Sequence, residues 1–554
     1  MLRRMLCRWT GCLALLSLTC IAHGATITTN YTGNQTVSVN LADPGGGDIL
    51  AVRVISGTVQ FSGANTYSGG TEIQNGGTFQ ANTTNALGTG SVLIRTGGML
   101  YGNSGGYITN NISIEDGGNF HAGGNTAGVD GTITAVGGNA QFWSQRNGPY
   151  GYAMVPALNP HAGRITGTGS VLFLGGYRGS QADVCGNNDY TGTTVIGTST
   201  WSVVRAFHPN AFGTVVNTIS NYNFGADGNG YSYLTITEGC TNGLNPNKSI
   251  WCGRRGWVTQ AMGTTVSNAI TFAGAEGGFG FAGSGSGNRI SSGPIILMGG
   301  TTSTIYRGGN YGNWYQTGTI SGGGALVLEG YNGNDTICYF NGSNTYSGGT
   351  TLYNGGAGGR YGTGSRVHLG HDAGFGRGPV TLVRPTSYAG NTHLILDKNL
   401  TLANQVAGDG NIDLQTYTLT LAGSLAPGSG TNLVVFNIFG AGAAKLDFRG
   451  AYNWKYSETT NDLVAVNALT FGNAGGAGAV NVSWVGTGRP PTPSAAGDYY
   501  VLFTYAGGVD PVITTDWTVT TAPRKFRGKV SVDAANKRVL LRLRPLSRTV
   551  ILVQ

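Results

Sequence analysis

The sequence predicts an all-β protein: a parallel β-helix (β-solenoid) with a small C-terminal β region. Three observations carry that expectation. Four stretches that start at Thr71, Ser91, Ile112 and Thr132 share one grammar, a short β-branched run, Gly-Gly, then a second short run, and the starts are 20, 21 and 20 residues apart. Sustained i, i+3, i+4 apolar spacing is lacking, and 98 glycines among 554 residues would weaken helix interiors. The heptapeptide NTYSGGT stands at 65–71 and again at 344–350. A period of about 20 residues means stacked supersecondary units, and short strands bounded by Gly and Asn suit a coil laid on the coil before it.

Composition narrows the class further. Charged residues make up 10% of the chain, while hydrophobic residues reach 40% and aromatics 10%. That is enough apolar surface to offset the entropy of ordering, so disorder does not fit. Glycine has no three-residue period, which excludes collagen.

Residues 1–24 read as a secretory signal. Arg3, Arg4 and Arg8 form a basic start, GCLALLSLTCIA (11–22) is an apolar run too short to span a bilayer, and Ala22 and Gly24 supply small residues before Ala25. Thr19 before Cys20 departs from a lipoprotein box. No later segment is long and apolar enough for a membrane helix, so none is expected after signal removal. Of the formal charge of +8, the first 24 residues contribute +3 and residues 524–554 contribute +8, which leaves −3 for residues 25–523. The body is therefore no nucleic-acid surface. The basic tail reads as a solvated terminal strand, with contact to an anionic envelope surface as the alternative.

Residues 25–430 are expected to form the glycine-rich β-helix with coils of about 20 residues. Within the heptapeptide, Asn65 and Thr66 are expected to make a turn whose side chains bond nearby backbone, and Tyr67 to pack flat on the neighbouring coil. Gly69 and Gly70 take the corner, and Thr71 opens the next strand. Asn344, Thr345, Tyr346, Gly348, Gly349 and Thr350 repeat these roles. NDYTGTTVI (188–196) is a degenerate third copy. A second stretch downstream of each copy is shared too: NALGTGSVLI (85–94), NAFGTVVNTI (210–219) and, after an insertion, DAGFGRGPVTL (372–382).

These motifs resemble the autotransporter-associated β-strand repeat, also called the passenger-associated transport repeat. Residues 65–94 match its pattern closely, 344–382 well and 188–219 loosely. GSLAPGSGTNLVVF (423–436), NDLVAVNALTF (461–471) and GDYYVLFTYAGG (497–508) resemble the end of such proteins. The resemblance implies an exported β-helix at the cell surface or outside the cell of a bacterium, with outer-membrane association or a periplasmic place as variants. Autotransporters end in a membrane β-barrel; no segment here has the length for one, and the chain ends ILVQ. It is more similar to barrel-less surface proteins with these repeats.

Gly-Gly pairs thin out after about residue 430. Residues 431–554 are expected to form the C-terminal β region, with RPPTP (489–493) as a stiff loop and KVSVDAANKRVLLRLR (529–544) as a hairpin. That region is the candidate cap, because an open solenoid end exposes strand edges.

Candidate chemistry is sparse. Cys240 and Cys252 bracket a short loop and are the candidate disulfide pair in an oxidising compartment. HLGHD (368–372) places two His and an Asp together, but the expectation is exposed loop residues. GNSGG (102–106) fits G-x-S-x-G without a strand-to-helix context. GDGNIDLQ (408–415) is slightly similar to a calcium-roll repeat but occurs once. No catalytic, cofactor-binding or metal residue, and no cofactor, is expected. Trp143, Tyr150, Tyr152, Trp201, Trp251, Trp257, Tyr311, Trp314 and Tyr315 form an aromatic middle suited either to core filling or to sugar stacking. The acids Asp183, Asp189, Asp227, Glu238 and Glu276 are scattered. The functional expectation is a non-enzymatic surface or extracellular solenoid, structural or adhesin-like, with an unidentified surface partner such as glycans or envelope components. The alternative is a carbohydrate-binding or polysaccharide-degrading protein (a lyase or glycoside hydrolase) on the same scaffold. The stretches 144–165 and 222–262 interrupt the repeat and are the expected contact loops.

Overall fold

A computed structural model describes residues 25–545 apart from 104–106, 123–127, 145–162, 176–179, 199–201, 224–229, 282–286, 308–312, 331–336, 354–365, 384–392, 429–432, 472–477, 488–489, 491, 496, 514–516 and 523–525. The chain is a parallel β-solenoid. Among the described residues there is no α-helix, only the single 3-10 turn Glu238–Cys240. It divides into two compact units, 1–270 and 271–554.

In the first unit each coil lays its strands in parallel on those of the coil before. One sheet stacks Thr26–Tyr31, Ile49–Val54, Thr71–Ile73, Val92–Ile94, Ile112–Glu115, Ile133–Val136 and Ile165–Gly167 in chain order. A second runs from Gln35–Val37 through Gly57–Phe61 and Gly77–Ala81 to Lys248–Cys252. Side chains alternate across each strand, so parallel register stacks like on like. Val54, Ile73, Ile94, Ile114 and Ala135 form one inward file, all fully buried. Partners in that file are 21, 20 and 21 residues apart from Ile73 onward.

The described part of 222–262 is not a loop. It supplies the strands Ser232–Ile236, Lys248–Cys252 and Gly256–Gln260, each in parallel register with its neighbour. Its polar composition misled because Ser232, Thr235, Thr259 and Gln260 are buried inside the coil.

The second unit uses the same stacking with longer coils. Leu328, Leu352, Leu382 and Gly408 are register partners 24, 30 and 26 residues apart. Parallel pairing runs on past residue 430, through Ala451–Tyr456 and Ala479–Trp484 to Thr518–Ala522. The pairing changes where Asp498–Tyr505 meets Arg538–Pro545 in antiparallel fashion, with Phe526–Asp533 outside it.

The heptapeptide fastens coils to one another. Asn65, Thr66 and Tyr67 are extended, not turned: Asn65 and Tyr67 are buried and Thr66 is exposed. Asn65 Oδ1 accepts from the Leu41 amide at 2.8 Å, and Nδ2 donates to the Ala86 carbonyl at 2.5 Å, so one side chain ties three coils. Asn188 bonds Ile165 N at 2.7 Å and Ala211 O at 2.6 Å; Asn344 bonds Ile320 N at 2.7 Å and Gly374 O at 2.6 Å. Thr66 and Thr345 donate their amides to Leu41 and Ile320 carbonyls, both at 2.8 Å. The buried tyrosine then finds a partner four residues on: Tyr67 with Thr71 at 2.6 Å, Tyr190 with Thr194 at 2.5 Å, and Tyr346 with Thr350. Burial pushes all three phenols up.

Two glycines of the motif have separate reasons. Gly70 and Gly349 have φ of +85° and +93°, where a side chain is strained. Gly69 and Gly348 pass so close to the previous coil that a Cβ would collide with backbone; at Gly69 it would lie 2.5 Å from the Leu50 carbonyl oxygen.

Candidate functional site

Every heptapeptide residue but the outward threonines and Ser68 and Ser347 turns inward or into the backbone, so the motif offers little surface chemistry. Such chemistry gathers on the outer face of one sheet in the second unit. Its strands Arg289–Ser291, Trp314–Gln316, Ile337–Phe340, Arg366–Leu369, His393–Leu396, Asn411–Asp413 and Val435–Phe439 stack in parallel. Trp314, Cys338, Val367, Leu394, Ile412 and Ile438 form the inward file. Alternation therefore sends the next residue of each strand outward. Register brings Tyr315, Tyr339, His368, Ile395, Asp413 and Phe439 into one file.

The Tyr315 and Tyr339 rings stack with centroids 4.4 Å apart and planes 5° from parallel, and the His368 ring comes 4.6 Å further on. Burial raises the Tyr339 phenol, helped by Tyr315 and by the Asp397 charge. His368 Nδ1 lies 2.6 Å from Asp397 Oδ1, one coil on. Asp413 accepts from the Gln415 amide at 2.8 Å and from Gln415 Nε2 at 2.6 Å. Beside this row opens a cavity of about 610 Å³, whose walls include Arg366, His368, Asp397, Asp413, Gln415 and Tyr417. It combines a guanidinium, an imidazole, two carboxylates and an amide next to a flat aromatic platform. Such a surface can stack on an apolar ring face and meet its edge hydroxyls with both donors and acceptors.

Several expected residues stand elsewhere. His368 is on the strand Arg366–Leu369, not in a loop. His371 is at the corner, where Nδ1 accepts from the Ala373 amide at 3.0 Å, and Asp372 accepts from the Thr401 amide at 2.9 Å. The three do not converge. Among the described residues no group of three or more His, Cys, Asp or Glu is placed to hold a metal. Of GDGNIDLQ, Asp413 serves the cavity wall. Residues 104–106 of GNSGG lie outside the described residues, as do Tyr150, Tyr152, Trp201, Asp227 and Tyr311.

Cys240 and Cys252 are free thiols, both buried, so the expected disulfide is not formed. Cys240 sits in the 3-10 turn with its Sγ donating to the Ala206 carbonyl at 3.4 Å. Cys252 ends the strand Lys248–Cys252, whose extended path carries it away from that corner. Burial pushes both thiols up, that of Cys240 to about 12.

The aromatic middle divides between core and surface. Trp314 is fully buried, its indole donating to Ser291 Oγ at 2.9 Å, and Trp251 is 38% exposed. Trp143 continues an outer file from Tyr101 and His121 in the first unit, and Trp257 packs with Tyr231 and Tyr233. Asp183 and Asp189 are held by Arg205 and Arg164. Sequence reasoning missed Tyr339, Arg366, Asp397, Asp413, Gln415 and Tyr417, whose only signal is the coil-to-coil register.

No family model matches the chain, and no curated protein matches it. Among solved structures it is similar to the Haemophilus influenzae Hap adhesin, at 10% identity and a TM-score of 0.27, over 93% of this chain. The matched region spans 64% of that adhesin chain. No helix among the described residues is long and apolar enough to cross a membrane.

Proposed function

We propose that the chain is an exported, non-enzymatic β-solenoid surface protein with an adhesin-like role, and that it recognises glycans on the outer face of its second unit. The observation that carries this reading is the Tyr315–Tyr339 stack leading into the cavity at Arg366, His368, Asp397 and Asp413. Sugar rings present flat apolar faces and hydroxyl edges, and this surface offers both complements side by side. Asp413 is already occupied by two bonds from Gln415 and Asp397 by His368, which suits fixed hydrogen-bonding groups better than proton carriers. Export rests on the basic start, short apolar run and small residues of 1–24.

Calorimetric titration of the purified chain with a panel of oligosaccharides tests recognition. Saturable binding that falls about tenfold in Tyr339→Ala is expected, since one aromatic platform is worth roughly 1 kcal/mol. Equal binding by the variant would remove the site. For export, the released chain should begin at Ala25 by mass.

The second reading is glycan cleavage, and the His368–Asp397 pair is what favours it, because a carboxylate can orient an imidazole as a general base.

A further inference from the structure

The antiparallel hairpin that ends the described chain carries an unusual charge arrangement. Strands Phe526–Asp533 and Arg538–Pro545 pair so that Arg527 is directly opposite Arg544 and Lys529 directly opposite Arg542. Val530, Val539, Leu541 and Leu543 turn inward and are buried, so these four cations share the other face. Directly opposite residues in such a ladder are about 5 Å apart at Cα and alternate residues of one strand about 7 Å. Four positive charges thus occupy one small square, and like charges directly opposite each other destabilise a sheet.

The acids nearby stand apart from the square. Asp533 is opposite Arg538 at the turn end, and Asp510 holds Lys537 at 2.6 Å. Asp498 is in register with the inward Leu543 and accepts from the Ser494 amide. On the cationic face itself the next strand presents Tyr499, opposite Arg542. Tyr499 is 56% exposed, and the Arg542 guanidinium sits 5.0 Å from its ring centroid.

We propose that this face of the hairpin docks on an anionic phospholipid surface, the four cations meeting headgroup phosphates and Tyr499 settling at the headgroup level. Charge complementarity argues for the anionic partner: residues 524–554 hold +8 while residues 25–523 sum to −3, so the attraction acts through this hairpin. The exposed tyrosine argues for a bilayer over a soluble polyanion, because an amphipathic ring gains most at an interface. The fold tolerates the repulsion within the square, and a phosphate surface relieves it. The site is separate from the glycan cavity, and its test does not involve sugars.

Co-sedimentation of the purified chain with phosphatidylcholine vesicles, and with 1:1 phosphatidylcholine–phosphatidylglycerol vesicles, tests the proposal at 50 and 500 mM NaCl. Binding only to the anionic vesicles is expected, weakening at high salt. The quadruple variant R527Q/K529Q/R542Q/R544Q should lose about a hundredfold or more in partition, because each surface cation contributes on the order of fivefold. The double variant R527Q/R544Q should lose about a tenth as much, and thermal unfolding of both should start no lower than in the parent, since repulsion is removed. Equal binding to neutral vesicles, no binding at 50 mM NaCl, or undiminished binding by a folded quadruple variant would each overturn it. Binding of soluble dextran sulfate without vesicle binding would overturn it too.

Discussion

The Tyr67 phenol and the Thr71 hydroxyl meet 2.6 Å apart inside the first unit, where both residues are buried. The tyrosine's polar end has no water to turn to, and the sequence supplies its partner four positions later. Tyr67→Phe should therefore cost about 1–2 kcal/mol in chemical denaturation. Thr71→Val should cost a similar amount, and the double variant clearly less than the sum, since the two changes remove one bond.

Asn344 should be more sensitive. Asn344→Ala leaves the Ile320 amide and the Gly374 carbonyl without the side chain that bonds them at 2.7 and 2.6 Å. Two buried backbone groups losing their partner cost roughly 2–5 kcal/mol together. Asn344→Asp keeps the acceptor and loses the donor, so it should fall short of wild type by about half as much near pH 4. Denaturation midpoints of both variants check the ordering.

Gly88 lies beneath Tyr67 with φ +64°, and a Cβ there would collide with the Tyr67 carbonyl oxygen and approach its ring carbons to 2.9 Å. Gly88→Ala should destabilise by about 2 kcal/mol or more. Gly76, with φ +77° and open space around it, should cost only the backbone strain, about 1 kcal/mol. Comparing the two alanine variants separates collision from conformation.

Asp462 gives the fold a pH dependence of unusual sign. Its carboxylate is fully buried and accepts from the amides of Val434 at 3.1 Å and Lys455 at 3.2 Å, yet burial outweighs these bonds and raises it from near 3.8 to about 6. A carboxyl raised on folding makes the native state hold the proton longer. Its contribution is therefore favourable below about pH 4 and is lost as pH rises to about 6, by about 3 kcal/mol. The stability difference between wild type and Asp462→Asn should shrink by that order between pH 4 and 7. A difference independent of pH would refute the assignment.

Much of the fold was legible because a solenoid writes its geometry along the chain. The file Ile73, Ile94, Ile114 keeps nearly constant spacing, and Gly70 marks a left-handed corner that few residues replace. The reading of Asn65 as a turn residue erred because its side chain serves other coils, at distances of 24 and 21 residues that local turn rules ignore. The outer site was hidden for a related reason. Tyr315, Tyr339, His368, Ile395 and Asp413 are neighbours in space at sequence steps of 24, 29, 27 and 18. Coils of unequal length leave no period to find. Trp314 beside Tyr315 shows the other obstacle: one step along a strand exchanges core for surface, and only the assembled sheet tells which is which.

The most direct measurement is depletion of the purified chain from solution by insoluble polysaccharides, with reducing ends counted in the same tubes, for wild type and for a Tyr315→Ala/Tyr339→Ala double variant. Wild type should be retained by at least one polysaccharide, the variant should stay in solution, and no reducing ends should appear with either. Release of reducing ends by wild type would overturn the non-enzymatic reading, and equal retention of the variant would overturn the assignment of the site.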